Sequence, residues 1–192
     1  MDKESKKWQE RFEKVWDGPD YRQGSPGLRL VKRFIIYLDP GCTVNDYGSG
    51  TGRAAVALLE AGFKVNMIDF APNALEDEAK SLLGKDLTFT LGSLWEIPKD
   101  FPTASWGFCM EVLQTLPYDK LLPVLRNIKA TCDNLFIQVA SWPDTWNGVK
   151  VNQIIEDSDW WETEIKKVWE DVEQIPSLET SRRFLFVCRG KK

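Results

Sequence analysis

Val44-Asn45-Asp46-Tyr47-Gly48-Ser49-Gly50-Thr51-Gly52 is the stretch whose reading decides the fold. It reads as the end of a strand over 42–47, a glycine-rich turn and the start of a helix over 52–61. Ala54, Ala55, Ala57, Leu58 and Leu59 give that helix its packing face, and Gly62 closes it. A second strand over 64–69 ends in Asp69. Glycines at alternate positions let a backbone pass close to a ligand, and an acid ending the next strand is placed to hold a ribose. The combination points to a nucleoside-containing ligand.

Outward from this stretch the chain alternates. Upstream, Trp8, Phe12, Val15 and Trp16 recur at helical spacing over 3–16, and Gly18-Pro19 ends that helix. The loop 20–27 ends in a capping-type Ser25-Pro26, and a second helix presents Leu30, Val31, Phe34, Ile35 and Leu38. Downstream, a helix over 72–83 starts at Pro72. Strands follow over 87–91 and 106–110, then a helix over 119–131 and a strand over 135–140. A helix capped by Ser158 runs to about 168, and strands over 169–175 and 183–188 finish the chain. Strand–helix alternation predicts a doubly wound, mostly parallel seven-stranded α/β sheet with helices on both faces. The last two strands have no helix between them and should pair antiparallel at one edge. One domain spans 1–192, with a helical lid over 1–40 and the alternating core over 41–192. The loops after the strands should converge on one cleft.

Composition narrows the classes. The chain has 192 residues, 43% hydrophobic and 28% charged, which fits one globular domain with a real core. A net charge of -4 argues against a broad electrostatic grip on nucleic acid, and Arg29, Lys32 and Arg33 read as a solvated helix face. MDKESKKWQERFEKVW has no apolar signal core, and no later run approaches a membrane span, so a cytoplasmic location is expected. Cys42, Cys109, Cys132 and Cys188 form no CxxC and read as reduced and mostly buried. There is no histidine, which excludes Ser-His-Asp and Cys-His catalysis and removes the commonest metal ligand, so no metal is expected. Of nine tryptophans most should be core, but Trp142 and Trp146 sit in a Pro-containing loop and stand apart.

The turn discriminates among nucleotides. No GK[ST] follows, which excludes a P-loop, and Arg53 stands where a dinucleotide fingerprint has its last glycine. That spacing disfavours NAD or FAD without eliminating them. A pyrophosphate wants backbone N–H groups and no nearby anion, whereas Asp46 lies two residues before the first glycine. Such an acid suits the ammonium of a methionine moiety, and Asp69 would accept from ribose hydroxyls.

On these residues the chain resembles the class I S-adenosylmethionine-dependent methyltransferases, over about 42–140. The resemblance implies a Rossmann-like core that binds S-adenosylmethionine and releases S-adenosylhomocysteine. It implies that Asp46, Gly48, Ser49, Gly50 and Gly52 lie against the methionyl part and ribose, that Asp69 holds the ribose, and that Phe70 lies beside the adenine. Where the family usually has an acid after the third strand, this chain has Ser93, followed by Leu94 and Trp95, so a Ser hydroxyl or the Leu94 backbone would replace the acid. The segment Gly107–Pro117 is similar to the fourth motif, with Glu111 for the usual Asp and Thr115 for the His. Asp20-Tyr21-Arg22 with Ser25-Pro26-Gly27, and Trp160-Trp161, resemble small bacteriophage-type members. The implied N-terminal segment folds over the cofactor and brings Tyr21 and Arg22 near its carboxylate.

Methyl transfer from a sulfonium needs alignment and water exclusion more than a protein nucleophile, so a chain without histidine can do it. Glu111, near the transferred methyl, and Asp144, in the loop after the fifth strand, are the candidate proton acceptors. Trp142 and Trp146 would wall the acceptor. The fourth motif is not the [DNS]PP[YFW] used on nucleobase amines, so a small-molecule or protein acceptor is expected before a nucleic acid. Breakdown of S-adenosylmethionine with Glu111 as base, or non-catalytic binding of it, are the other readings. Oligomeric state is not readable.

Overall fold

The structure, a computed structural model, describes residues 3–24, 27–177 and 182–190. Seven strands form one sheet: β1 (Thr43–Tyr47), β2 (Lys64–Asp69), β3 (Leu87–Leu91), β4 (Ala104–Met110), β5 (Cys132–Ala140), β8 (Asp171–Ile175) and β9 (Arg183–Arg189). Their order is β3-β2-β1-β4-β5-β9-β8, with every pair parallel except β5–β9 and β8–β9. The doubly wound α/β sheet expected from the sequence is therefore present. The last two strands pair antiparallel at one edge, and β9 alone runs against the other six. A short hairpin, β6 (Thr145–Trp146) with β7 (Val149–Lys150), stands apart after β5.

Period-two alternation in the strands feeds two cores. Phe108 and Phe136 face the side packed by α3 (Val31–Phe34) and α4 (Arg53–Glu60). Cys109, Leu135 and Ile137 face the side packed by α6 (Tyr118–Lys129) and α7 (Ser158–Lys166). Trp161 is fully buried in that second core. A third cluster joins α1 (Lys3–Trp16), through Phe12, Val15 and Trp16, to Ala71, Ala74 and Val151. The N-terminal helix thus roofs the strand ends instead of covering a sheet face.

A buried polar row fixes register across the parallel strands. Thr88 Oγ1 donates to Asn66 Oδ1 at 3.0 Å, and Asn66 Nδ2 donates to Asn45 Oδ1 at 2.9 Å. Asn45 Nδ2 in turn reaches the Pro102 and Thr131 carbonyls, both at 2.9 Å. A one-residue slip would orphan the whole row, a cost that pins the pairing.

Asp157, and not Ser158, caps α7, its Oδ1 accepting from Trp160 N at 2.9 Å. Three further expectations differ. The helix placed at 72–83 shrinks to α5 (Asp77–Ser81), because Asp69 Oδ1 caps Ala71 N and the chain turns before it coils. The second helix is broken into 3₁₀ turns at Leu28–Leu30 and Ile35–Tyr37 around α3. Pro19, expected only to end α1, also opens a short helix, α2 (Pro19–Gln23), where its missing N–H costs nothing. Ser25 and Pro26, expected to cap the next helix, lie outside the described residues. Cys109, Cys132 and Cys188 are buried, Cys42 is half-buried, and all are free thiols. Among the described residues no helix is long and apolar enough to cross a membrane.

Candidate functional site

The loops after β1, β2, β4 and β5 meet in a cleft of about 290 Å³, within the usual order of size for a small-molecule site. Its floor is the glycine turn. Gly48 and Ser49 donate their N–H groups to the Ile68 carbonyl, at 2.8 and 3.3 Å, which binds the turn to β2. Gly48 and Gly50 have φ values of +72° and +51°. A Cβ on Gly48 would lie 2.4 Å from Val112, and one on Gly50 would lie 2.8 Å from the Trp16 ring. Glycine is thus required by the neighbours leaning on the turn, α1 among them. Gly52, at φ +79°, precedes α4.

Two acids sit at this end of the cleft. Asp46 is 3% exposed, and its Oδ2 has no hydrogen-bond partner among the described residues. Burial, and then the nearby Asp69, push its carboxyl up to about 8. The Ser49 hydroxyl beside it is likewise unpartnered among the described residues. Asp69 is better served: Oδ2 accepts from Gly50 N at 2.8 Å and Oδ1 from Ala71 N at 2.9 Å. Burial raises its pKa, and those N–H groups oppose the rise.

A smaller pocket of about 40 Å³ shares Phe12, Gly48, Asp69 and Phe70 with the cleft and adds Ser93, Leu94 and Trp95. Phe70 packs on Phe12 with ring centres 5.3 Å apart, and Trp95 meets Trp8 at 6.1 Å. Ser93 Oγ accepts from Trp95 N at 3.1 Å and starts the turn Leu94–Glu96. Asn127 Nδ2 donates to the Leu94 and Trp95 carbonyls, at 3.0 and 2.8 Å. These three residues line the pocket, with Ser93 acting first as a cap.

Tyr21 lines the cleft between Trp16 and Trp146, at ring distances of 4.7 and 5.5 Å. Burial raises its pKa, and Asp144, Glu111 and Asp69 raise it further. Arg22, expected near a ligand carboxylate, lines neither pocket. Its Nε donates to the Trp16 carbonyl at 2.7 Å, Nη1 to that of Ala74 at 3.0 Å, and Nη2 to that of Asn73. The guanidinium fork ties α1 and α2 to the loop after β2.

Glu111 lies just past β4 in a left-handed conformation, φ +56°, held by its N–H donating to the Gln138 carbonyl at 2.8 Å. Its Oε1 is 2.5 Å from Arg183 Nε and 3.5 Å from Arg29 Nη2. The Arg183 guanidinium covers the Trp142 ring at 4.6 Å. Asp144 Oδ2 accepts from Trp146 Nε1 at 3.0 Å. Arg183 and Gln114 also line the cleft and were not foreseen. Arg183 is 72 residues from Glu111 and arrives only through the pairing of β9 with β5, opposite Ala140. Arg29, read as part of a solvated face, reaches Glu111 from above α3. Four carboxylates line the cleft, Asp46, Asp69, Glu111 and Asp144, and among the described residues Arg183 alone lines it as a cation.

No protein-family profile matches the chain, and no curated protein matches it in sequence. Solved structures do. A Burkholderia thailandensis 1,6-didemethyltoxoflavin-N1-methyltransferase, with 1,6-didemethyltoxoflavin and S-adenosylhomocysteine bound, superposes with a TM-score of 0.75 at 16% identity, over 100% of this chain and 92% of that one. A TehB-like SAM-dependent methyltransferase from Corynebacterium glutamicum gives 0.67 at 15% identity, over 98% of both chains. Human N-acetylserotonin methyltransferase in complex with SAM gives 0.63 at 16% identity, over 85% of this chain and 52% of that one. The chain has the class I methyltransferase fold. At these identities the likeness establishes architecture.

Proposed function

We propose that the chain is an S-adenosylmethionine-dependent methyltransferase acting on a small-molecule or protein acceptor. The observation that carries this reading is the buried Asp46 carboxyl, which lines the cleft beside the glycine turn and whose Oδ2 has no hydrogen-bond partner among the described residues. A buried acid with an orphaned oxygen calls for a cationic or hydrogen-donating group. The methionyl ammonium supplies one, and the Ser49 hydroxyl stands ready to share it. Asp69 keeps lone pairs for ribose hydroxyls after serving Gly50 and Ala71. Phe70, Ser93, Leu94 and Trp95 surround the space left for the base. Two of the structurally similar methyltransferases bind S-adenosylhomocysteine or SAM, which supports the assignment.

S-adenosylmethionine held by Asp46, Ser49 and Asp69 would supply an already activated methyl group, with the thioether as leaving group. The chain's own task is to align the acceptor and keep water out. Trp16, Tyr21 and Trp146 roof the cleft for the second purpose. Glu111, held against Arg183, orients the guanidinium that covers Trp142. That engagement weighs against Glu111 as a free base, and with it against cofactor breakdown. Asp144 takes the acceptor's proton. The acid-rich cleft and the net charge of -4 disfavour a nucleic-acid acceptor.

Calorimetry with S-adenosylhomocysteine and with NAD tests the cofactor: saturable binding of the first alone supports the reading, and binding of NAD alone overturns it. Incubation with methyl-labelled S-adenosylmethionine and fractionated cell extract tests transfer. Methylthioadenosine formed without any acceptor would instead establish breakdown.

A further inference from the structure

We infer that the acceptor end of the cleft is a binding site for a small amine, held as its ammonium. This rests on the cofactor reading above, because it takes Asp46 and Asp69 to be engaged by the methyl donor.

The walls at this end are aromatic, and the Asp144 carboxylate and the Gln114 amide oxygen are the acceptors among them. Tyr21 and Trp146 stand edge to face at 5.5 Å and 65°, and Trp142 lines the same cleft. The Trp146 indole is fixed by its Nε1–H donating to Asp144 Oδ2. Aromatic faces beside a carboxylate form the environment that stabilises an organic cation and gives nothing extra to a neutral isostere. Burial first, and then the charges of Asp144, Glu111 and Asp69, raise the pKa of the Tyr21 phenol that lines this wall, so a further negative charge is disfavoured there.

An independent observation marks the ligand as a hydrogen donor. Gln114 lines the cleft, is 2% exposed, and its Oε1 has no hydrogen-bond partner among the described residues. The Gln114 backbone carbonyl is already used, accepting from Gln153 N and Ile154 N at 2.8 and 3.0 Å, so the residue is rigidly held. A buried amide oxygen left without a donor is costly, and an N–H of the guest removes that cost. Among the described residues Arg183 alone lines the cleft as a cation, and it meets Glu111, which Arg29 also reaches. A carboxylate guest would have to displace that pair, whereas an ammonium has Asp144 and Gln114 to meet it.

The geometry also supplies the proton step that an amine requires. An ammonium has no lone pair. Giving one proton to the Asp144 carboxylate leaves the nitrogen with the pair that a new N–C bond needs, and the carboxyl passes that proton on to water.

The test uses the full chain saturated with S-adenosylhomocysteine, at neutral pH, where benzylamine is an ammonium. Calorimetry first confirms the saturation, so a failure of the cofactor reading appears as no heat in that step and is separate from the test. Ligand-observed NMR then compares benzylamine with benzyl alcohol. Benzylamine is expected to bind about tenfold or more tightly than the alcohol. Asp144→Asn, which can still accept from Trp146 Nε1, should abolish that preference with S-adenosylhomocysteine binding unchanged. Gln114→Leu should weaken benzylamine and leave the alcohol unaffected. Equal binding of amine and alcohol, or full preference retained in Asp144→Asn, would overturn the inference.

Discussion

Gly50 N donates to Asp69 Oδ2 at 2.8 Å, so the glycine turn after β1 and the acid ending β2 are one hydrogen-bonded unit. Ala71 N takes the other carboxylate oxygen at 2.9 Å. Asp69→Asn keeps one acceptor and turns an N–H donor toward the other backbone donor. The variant should lose about 1–3 kcal/mol of stability, since a buried donor is left unmatched. It should also bind S-adenosylhomocysteine at least about tenfold more weakly. Urea unfolding and calorimetry on the same preparation measure the two losses.

Asp46 links the site to pH. Its carboxyl titrates near 8 in the folded chain and in the ordinary carboxylate range once unfolded. Between those values the folded state keeps a proton that the unfolded state has lost. Stability of the ligand-free protein should therefore fall as pH rises through that window and level off above about 8. Asp46→Asn should flatten most of this slope and raise the melting temperature at pH 8.5, while weakening S-adenosylhomocysteine. Opposite signs for stability and binding distinguish a ligand-directed acid from a structural one. A melting temperature lowered by the substitution would refute this role.

Trp16 and Gly50 report on the roof. Gly50→Ala places a methyl 2.8 Å from the indole and keeps a left-handed φ of +51°. The combined strain should cost about 1–3 kcal/mol. Trp16→Leu in the same chain relieves the clash but not the φ. A double-mutant cycle should show coupling of about 0.5–3 kcal/mol, and additivity would place the roof elsewhere.

Arg22 separates a clamp from a ligand contact. Lys in its place cannot serve three carbonyls at once, so Arg22→Lys should lower stability by about 1–3 kcal/mol. The ratio of affinities for S-adenosylhomocysteine and an analogue lacking its carboxylate should not change. A ratio that collapses toward one would return Arg22 to the carboxylate.

Much of this is legible in the sequence, for physical reasons. The sheet follows from period-two apolar runs separated by helical ones, and the floor of the site from glycines and acids in one short window. Trp142, Trp146 and Asp144 were legible because a Pro-containing loop after a strand has little else to do. What escaped depends on partners distant in sequence. Arg183 has no local pattern and acquires meaning only when β9 pairs with β5. Gln114 reads as an ordinary turn residue in sequence, and only the fold buries its amide oxygen with no partner among the described residues. The three carbonyls that Arg22 meets are not readable in sequence either, because a fork of donors suits them as well as a carboxylate. The helix expected from Pro72 was lost to a cap that only the folded Asp69 supplies.

Trp16, Trp142 and Trp146 line the cleft and Trp8 and Trp95 line the smaller pocket, so five of the nine tryptophans surround the ligand space. The chain therefore carries its own optical gauge. Filling the end proposed for the nucleoside should perturb Trp8, Trp95 and Trp16, whereas filling the far end should perturb Trp142 and Trp146. Emission changes produced by the two ligands should differ in wavelength and be lost separately on replacing Trp95 or Trp146 by Phe, giving an unlabelled readout of which half is occupied.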